Sequence, residues 1–253
     1  TFCLKDINEL NGISEKLMNE FVLEIDGNIR RQYLRQVYSY RLYYGLFKKF
    51  SPKIVAFSDG GSSKGLISAA HDLGIETIDF QHSEITFQNI LYNYSSLDDD
   101  VEGLAIPRYV YTFGNYWNAE VRSPSKTVSV GFPYFDLATE GLFVHGEGKK
   151  YESIVILSNG YFARDSLTEV ALELSTLLPG FEVVFKLRIE EYPHWEDKYP
   201  EAFRTRRNIR VIDDNSKSIY EHFSQCSYQV GINSTAVYEG LAFGLVTFIL
   251  RAG

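Results

Sequence analysis

The sequence predicts an α/β protein made of two parallel-sheet units in tandem. Three features carry that expectation. Short continuous apolar runs, such as Ile54 to Phe57 and Ser153 to Leu157, suit strands buried on both faces of a parallel sheet. These runs alternate with stretches of helical periodicity, the order that βαβ crossovers impose. The alternation lapses over a polar, glycine-rich stretch from Thr139 to Lys150 and then restarts, which reads as a boundary between units. The expected division is residues 1–138, a linker over 139–150, and residues 151–253.

The elements follow in order. Residues 14 to 50 carry helix-like spacing (Leu17, Phe21, Ile25, then Tyr33, Val37, Tyr40, Leu46), with Ser14 and Glu15 as a start and Pro52 as a stop. Ile54 to Phe57 is the first strand. It opens onto Ser58-Asp59-Gly60-Gly61-Ser62-Ser63, then a helix over Lys64 to Leu73, then a strand from Thr77 to Phe80 that ends at Gln81-His82. Both loops leave carboxyl ends of strands, where open α/β sheets bind ligands. From Ser83 to Ile106 the pattern fades into a polar, aromatic segment with an acidic run, Asp98 to Asp100, and reads as a lid. Strands over Tyr109 to Phe113 and Thr127 to Val130, with a helix near Tyr116 to Val121 between them, close the first half at Gly131-Phe132-Pro133.

The second half opens with a strand over Ser153 to Leu157 and a helix over Leu167 to Leu178. Strands over Glu182 to Lys186 and Ile209 to Ile212, a helix over Ser218 to Phe223 and a strand over Tyr228 to Ile232 come next. A helix after Asn233-Ser234-Thr235 and a strand over Leu245 to Leu250 complete it. The chain starts without Met and stops just after that strand, so a fragment lacking terminal elements is expected.

A length of 253 residues with 45% hydrophobic content supports a full core. The net charge of -8 argues against nucleic acid as a partner, because such binding rests on neutralising phosphates with Lys and Arg. Cys3 and Cys226 match no metal or redox spacing, which suits a reducing compartment. No apolar run reaches the roughly 20 residues a bilayer span needs, and a cytoplasmic protein is expected. The 18 Tyr and 18 Phe serve core packing or a sugar-stacking surface.

The most informative stretch is Asn233-Ser234-Thr235 between a strand and a helix. Free N–H groups, the positive end of the helix dipole and two hydroxyls there suit an anionic ligand. The alternative is that Ser234 simply caps the helix. Asp98-Asp99-Asp100 reads as a solvated acidic loop rather than a metal site, since three consecutive carboxylates do not converge on one ion unaided. His71, His145 and His194 read as structural or loop residues.

Several of these pieces occur in the order seen in bacterial surface-polysaccharide glycosyltransferases of the GT-B type. A strand followed by Gln81-His82 resembles the Gln-His-Gly element of capsule and teichoic-acid-like transferases, with Ser83 in place of Gly. Thr112-Phe113-Gly114 and Val130-Gly131-Phe132-Pro133 look like elements that close the N-terminal domain. Phe185-Lys186-Leu187-Arg188 lies where many of these families carry Lys-x-His-Pro; the His-Pro is absent, and Arg188 is placed to supply charge instead. Asn233-Ser234-Thr235 to Glu239 resembles a Ser-Thr-x-x-x-Glu element that holds the donor diphosphate and ribose.

The resemblance implies two Rossmann-like domains facing a cleft, an acceptor-side first domain and a nucleotide-sugar-binding second domain. His82 and Asp59 become base candidates, at carboxyl strand ends of the first domain. Ser158, Asn159, Lys186, Arg188, Asn233, Ser234, Thr235 and Glu239 become donor-binding candidates, with no metal and no cofactor. The implied activity is sugar transfer, with inversion, from a nucleotide sugar to a glycan or lipid-linked glycan of a capsule or lipopolysaccharide type. Peripheral association with the inner membrane face is a further expectation. The alternatives are a polyol-phosphate transferase, a non-hydrolysing nucleotide-sugar epimerase, or a noncatalytic module of a polysaccharide-assembly protein.

Overall fold

The computed structural model describes residues 26–86, 89, 92–94, 104–142, 151–160 and 164–251. Cys3, the helix start at Ser14 and Glu15, the acidic run Asp98 to Asp100 and His145 lie outside these residues. The chain divides into two compact units, Thr1–Gly131 and Phe132–Gly253.

In the first unit a long helix, α1 (Asp26–Phe50), precedes β1 (Ile54–Ser58), α2 (Lys64–Asp72), β2 (Glu76–Phe80), β3 (Tyr109–Thr112), α3 (Asn115–Glu120) and β4 (Lys126–Ser129). The four strands are parallel and lie side by side in chain order, β1-β2-β3-β4. Helix α1 ends where Ser51 turns to φ +46° ahead of Pro52. It packs on α2 at backbone distance, because a Cβ at Gly65 would stand 2.5 Å from the Gln36 carbonyl oxygen. Gln36 Oε1 accepts from the Gly65 amide at 2.8 Å, and the Tyr40 hydroxyl donates to Asp72 at 2.6 Å. Val37 and Phe47 are buried on α1, and Phe47 packs with Leu66, Ile67, Ala69 and Ala70 of α2.

The second unit begins with α4 (Pro133–Ala138) and continues through β5 (Ser153–Leu157), α5 (Arg164–Leu177), β6 (Glu182–Lys186), α6 (Ala202–Thr205) and β7 (Ile209–Ile212). It closes with α7 (Ile219–Phe223), β8 (Tyr228–Gly231), α8 (Thr235–Ala242) and β9 (Val246–Ile249). Its five parallel strands run in the order β7-β6-β5-β8-β9. The central strand β5 is buried along its whole length, as an all-apolar run between two layers requires.

The boundary falls earlier than the sequence suggested. Residues 132–138 were expected with the first half, yet α4 packs in the second unit: Phe135 meets Tyr220 edge-on at 5.2 Å and Phe243 at 6.2 Å. Burying that aromatic ring fixes the helix to α7 and α8 rather than to the strand before it.

Candidate functional site

The strand order of the second sheet reverses at β5. Chain order runs outward from β5 through β6 to β7, then returns to β8 on the other side. Ligands of open α/β sheets bind outside the carboxyl ends of strands at such a switch point. Three sequence-predicted residues meet there. The Asn159 Nδ2 group donates to Asn233 Oδ1 at 3.1 Å, and Arg188 Nη1 donates to Asn159 Oδ1 at 3.5 Å. A polar string thus crosses the ends of β6, β5 and β8.

Helix α8 starts beside it. Ser234 is the N-cap, with extended backbone (φ -161°, ψ 144°), and its hydroxyl oxygen accepts from the Ala236 amide at 3.3 Å. The capping role is therefore real, and it leaves the hydroxyl proton without an acceptor among the described residues. Gly231 lets the helix approach the sheet: a Cβ there would lie 2.5 Å from the Val237 side chain. Thr235 opens the helix, and its N–H belongs to the unsatisfied first turn.

The other candidates sit differently from the simplest expectation. The Ser158 hydroxyl donates to Glu191 Oε2 at 2.6 Å and accepts from the Gly160 amide at 3.3 Å, so its single proton is already committed. Lys186 is half-buried rather than solvated. Its ammonium donates to the Asp214 carbonyl at 2.9 Å and to the Tyr192 hydroxyl, and lies 4.8 Å from the centre of the Tyr192 ring. Burial lowers its pKa, with Asp214 and Asp213 opposing. Lys186 thus ties the end of β6 to the loop after β7. Glu239 is also inward: burial raises its pKa, against a hydrogen bond accepted from the Tyr220 hydroxyl.

Glu191 is the residue the sequence did not single out. It is 1% exposed and accepts from the Ser158 hydroxyl (2.6 Å), the Arg188 amide (2.9 Å) and the Tyr199 hydroxyl (2.6 Å). It forms the last residue of a one-turn 3-10 helix, Ile189–Glu191. Tyr199, one of those donors, packs with Phe185 and Phe203 in edge-on and tilted ring contacts. A buried carboxyl with three donors is satisfied without a cation, and it fixes two candidate residues at once.

In the first unit, Asp59 follows β1 in a left-handed conformation, φ +71°. Its carboxylate accepts from the Ser62 hydroxyl at 2.6 Å and the Ser62 amide at 3.3 Å. Those bonds, the hydroxyl first, lower its pKa against the effect of partial burial, with the His82 charge adding to the lowering. Beneath the turn, Asp79 on β2 is 2% exposed, accepts from the Gly60 amide at 3.1 Å, and has its pKa raised by burial to about 6. Gln81 is buried and bridges two strand ends: Oε1 accepts from the Phe113 amide at 2.9 Å and Nε2 donates to the Ser83 carbonyl at 2.9 Å. His82 itself is exposed at the carboxyl end of β2. Gln81 is therefore a support for the His82 loop. Among the described residues, no group of three His, Cys, Asp or Glu side chains is placed to hold a metal ion.

No family model and no curated protein matches the chain. Solved structures do. The chain is similar to Staphylococcus aureus MnaA solved with UDP (10% identity, 87% of this chain and 64% of that one, TM-score 0.59). It is similar as well to the UDP-GlcNAc 2-epimerase of Neisseria meningitidis bound to UDP-GlcNAc (11% identity, 86% and 64%, TM-score 0.58). A third is a UGT transferase from Siraitia grosvenorii in complex with UDP (15% identity, 87% and 68%, TM-score 0.52). The fold is GT-B. At these identities the likeness carries the architecture, two parallel-sheet α/β units in tandem, and the chain spans 64% of the length of each of the first two structures. No helix among the described residues is long and apolar enough to cross a membrane.

Proposed function

We propose that this GT-B chain acts on a nucleotide sugar, as a metal-independent transferase that moves the sugar to a growing cell-surface glycan. The observation that carries the reading is the start of α8 at the strand-order reversal, with Ser234 and Thr235 beside Asn233, Asn159 and Arg188. The donor diphosphate takes the N–H groups and dipole of α8, the free proton of Ser234 and the guanidinium of Arg188. Solved neighbours of the same fold hold UDP or UDP-GlcNAc, which supports a uridine nucleotide as the first donor to test.

In transfer with inversion, the acceptor hydroxyl attacks the anomeric carbon as the bond to the nucleotide phosphate breaks, and a base takes the hydroxyl proton. His82 is assigned as that base. Asp59 is the poorer base, because the Ser62 bonds favour its ionised form and lower its proton affinity. Its role is to bind the acceptor. Lys186, Ser158 and Glu239 support the donor site through Asp214, Glu191 and Tyr220. The acceptor is a glycan or lipid-linked glycan met at the inner membrane face.

A second reading is nucleotide-sugar epimerisation, favoured by the higher TM-scores of the two epimerase-type neighbours. Calorimetry against UDP, CMP, GDP and CDP tests both. Binding of one nucleotide, lost in the Ser234→Ala, Thr235→Ala double variant, is expected; no response to any of the four overturns the nucleotide-sugar reading. Conversion of UDP-GlcNAc without an acceptor selects the epimerase. Sugar transfer that survives both His82→Ala and Asp59→Ala removes the base assignment.

A further inference from the structure

Helix α1 carries a charge pattern that the donor site does not use. Between Arg30 and Ser58 the chain holds Arg30, Arg31, Arg35, Arg41, Lys48, Lys49 and Lys53 and no Asp or Glu, although the whole chain has a net charge of -8. All seven of these residues are exposed. Large apolar side chains share that surface: Tyr38 is 66% exposed, Leu42 60% and Phe50 69%, with Leu46 at 38%. The opposite face of α1 is occupied by α2, through Phe47, the Gln36–Gly65 and Tyr40–Asp72 hydrogen bonds and the close approach at Gly65, which leaves the cationic face turned away from α2. Arg31 and Lys49 stand about 27 Å apart along the axis.

Anions alone would not require the apolar side chains, and a neutral apolar partner would not require seven cations. A surface that offers both needs a partner that is anionic at the top and apolar a few ångströms below. An anionic lipid leaflet has that composition: basic side chains meet headgroups while Tyr, Leu and Phe enter the acyl boundary. We infer that the exposed face of α1 docks the protein on an anionic lipid surface, lying in the interface plane rather than spanning it. The inference rests on the membrane-face part of the proposed function and is independent of the donor site, which lies in the other unit.

The test is co-sedimentation of the whole chain with phosphatidylcholine vesicles, with and without phosphatidylglycerol. Binding is expected only to the anionic vesicles and should weaken as salt is raised. Each cation near such a surface is worth about fivefold in partition. Arg31→Glu with Arg35→Glu should therefore lower binding more than tenfold, as should Leu42→Ser with Phe50→Ser through lost apolar insertion. Arg204→Glu with Arg207→Glu, exposed cations of the second unit, should leave binding unchanged. Circular dichroism confirms that each variant folds, and UDP calorimetry reports separately on the nucleotide reading. Equal binding to both vesicle types, binding to neither, or an equal loss in the Arg204, Arg207 control overturns the inference.

Discussion

Asn159 and Asn233, 74 residues apart in sequence, join their side-chain amides at 3.1 Å where β5 and β8 leave the second sheet. Asn159 also takes the Arg188 guanidinium at 3.5 Å, so the pair fixes one side of the entrance to α8. A hydrogen bond of this kind is worth about 1 kcal/mol. Asn159→Ala and Asn233→Ala should each weaken nucleotide binding about fivefold by calorimetry. The double variant should lose less than the product of the two, because the residues act as one unit; strictly additive losses would mean that they contact the ligand independently.

Glu191 should matter more than any exposed acid of the second unit. Glu191→Gln replaces one accepting oxygen with an amide nitrogen that faces the donors of Ser158, Arg188 or Tyr199. Leaving a buried donor unsatisfied costs about 1–3 kcal/mol. Urea unfolding of the variant should show that loss, and the same change should weaken nucleotide binding by freeing Ser158 and Arg188. Glu190→Gln is the comparison. Its carboxylate only pairs with the Arg188 side chain at the surface, at 2.7 Å, so stability should move by less than about 1 kcal/mol.

The fold was legible because both sheets are built from short apolar runs at strand spacing, and the turn at Asn233 stood out because a cap and an anion site need the same residues. Burial of polar groups was not legible. In β2 the alternation places Ile78 and Phe80 on one face and Thr77 and Asp79 on the other, and nothing in that alternation marks the polar pair as the buried one. The structure buries Thr77 and Asp79 and leaves Phe80 at 42% exposure, because Asp79 and Thr77 bond the Gly60 and Arg108 amides. Glu191 was hidden for a related reason. Nothing in the order Glu190-Glu191 marks which of the two acids is buried; Glu191 turns inward to the donors of Ser158, Arg188 and Tyr199. The position of Lys186 at a strand end was foreseen; its attachment to Tyr192 and Asp214 depends on a loop without periodicity.

Gly240 in α8 is a packing requirement. A Cβ at that position would lie 2.1 Å from Gln229 Oε1, and Gln229 is fully buried, with Nε2 donating to the Val237 carbonyl at 2.8 Å and to Thr247 at 2.7 Å. Gly240→Ala should destabilise the protein by about 1–3 kcal/mol despite the better helix propensity of alanine. Adding Gln229→Ala removes the obstacle, so denaturant melts should show the double variant losing less than the sum of the singles. An additive result would place the cost in the helix itself.

The buried carboxyl of Asp79 makes stability depend on pH in a direction opposite to that of most acids. Burial raises its folded pKa to about 6, above an ordinary aspartate value near 4, with Gly60 and Lys64 opposing and Asp59 adding to the rise. Between those two values the folded state binds more proton than the unfolded state, so this group's contribution to stability falls as pH rises from about 4 to about 6 and stays low above it. Asp79→Asn keeps an oxygen for the Gly60 amide and cannot ionise. The variant should therefore be more stable than the parent at pH 8 by about 2–3 kcal/mol, with the gain shrinking as pH falls through 6 towards 4 and vanishing below about pH 4, where Asp79 is protonated in both states. Thermal melts of the pair across that range decide the matter: a gain that is constant with pH would mean that the carboxyl does not titrate in the fold, and a loss at pH 8 would mean that its charge is needed to hold the Asp59 turn.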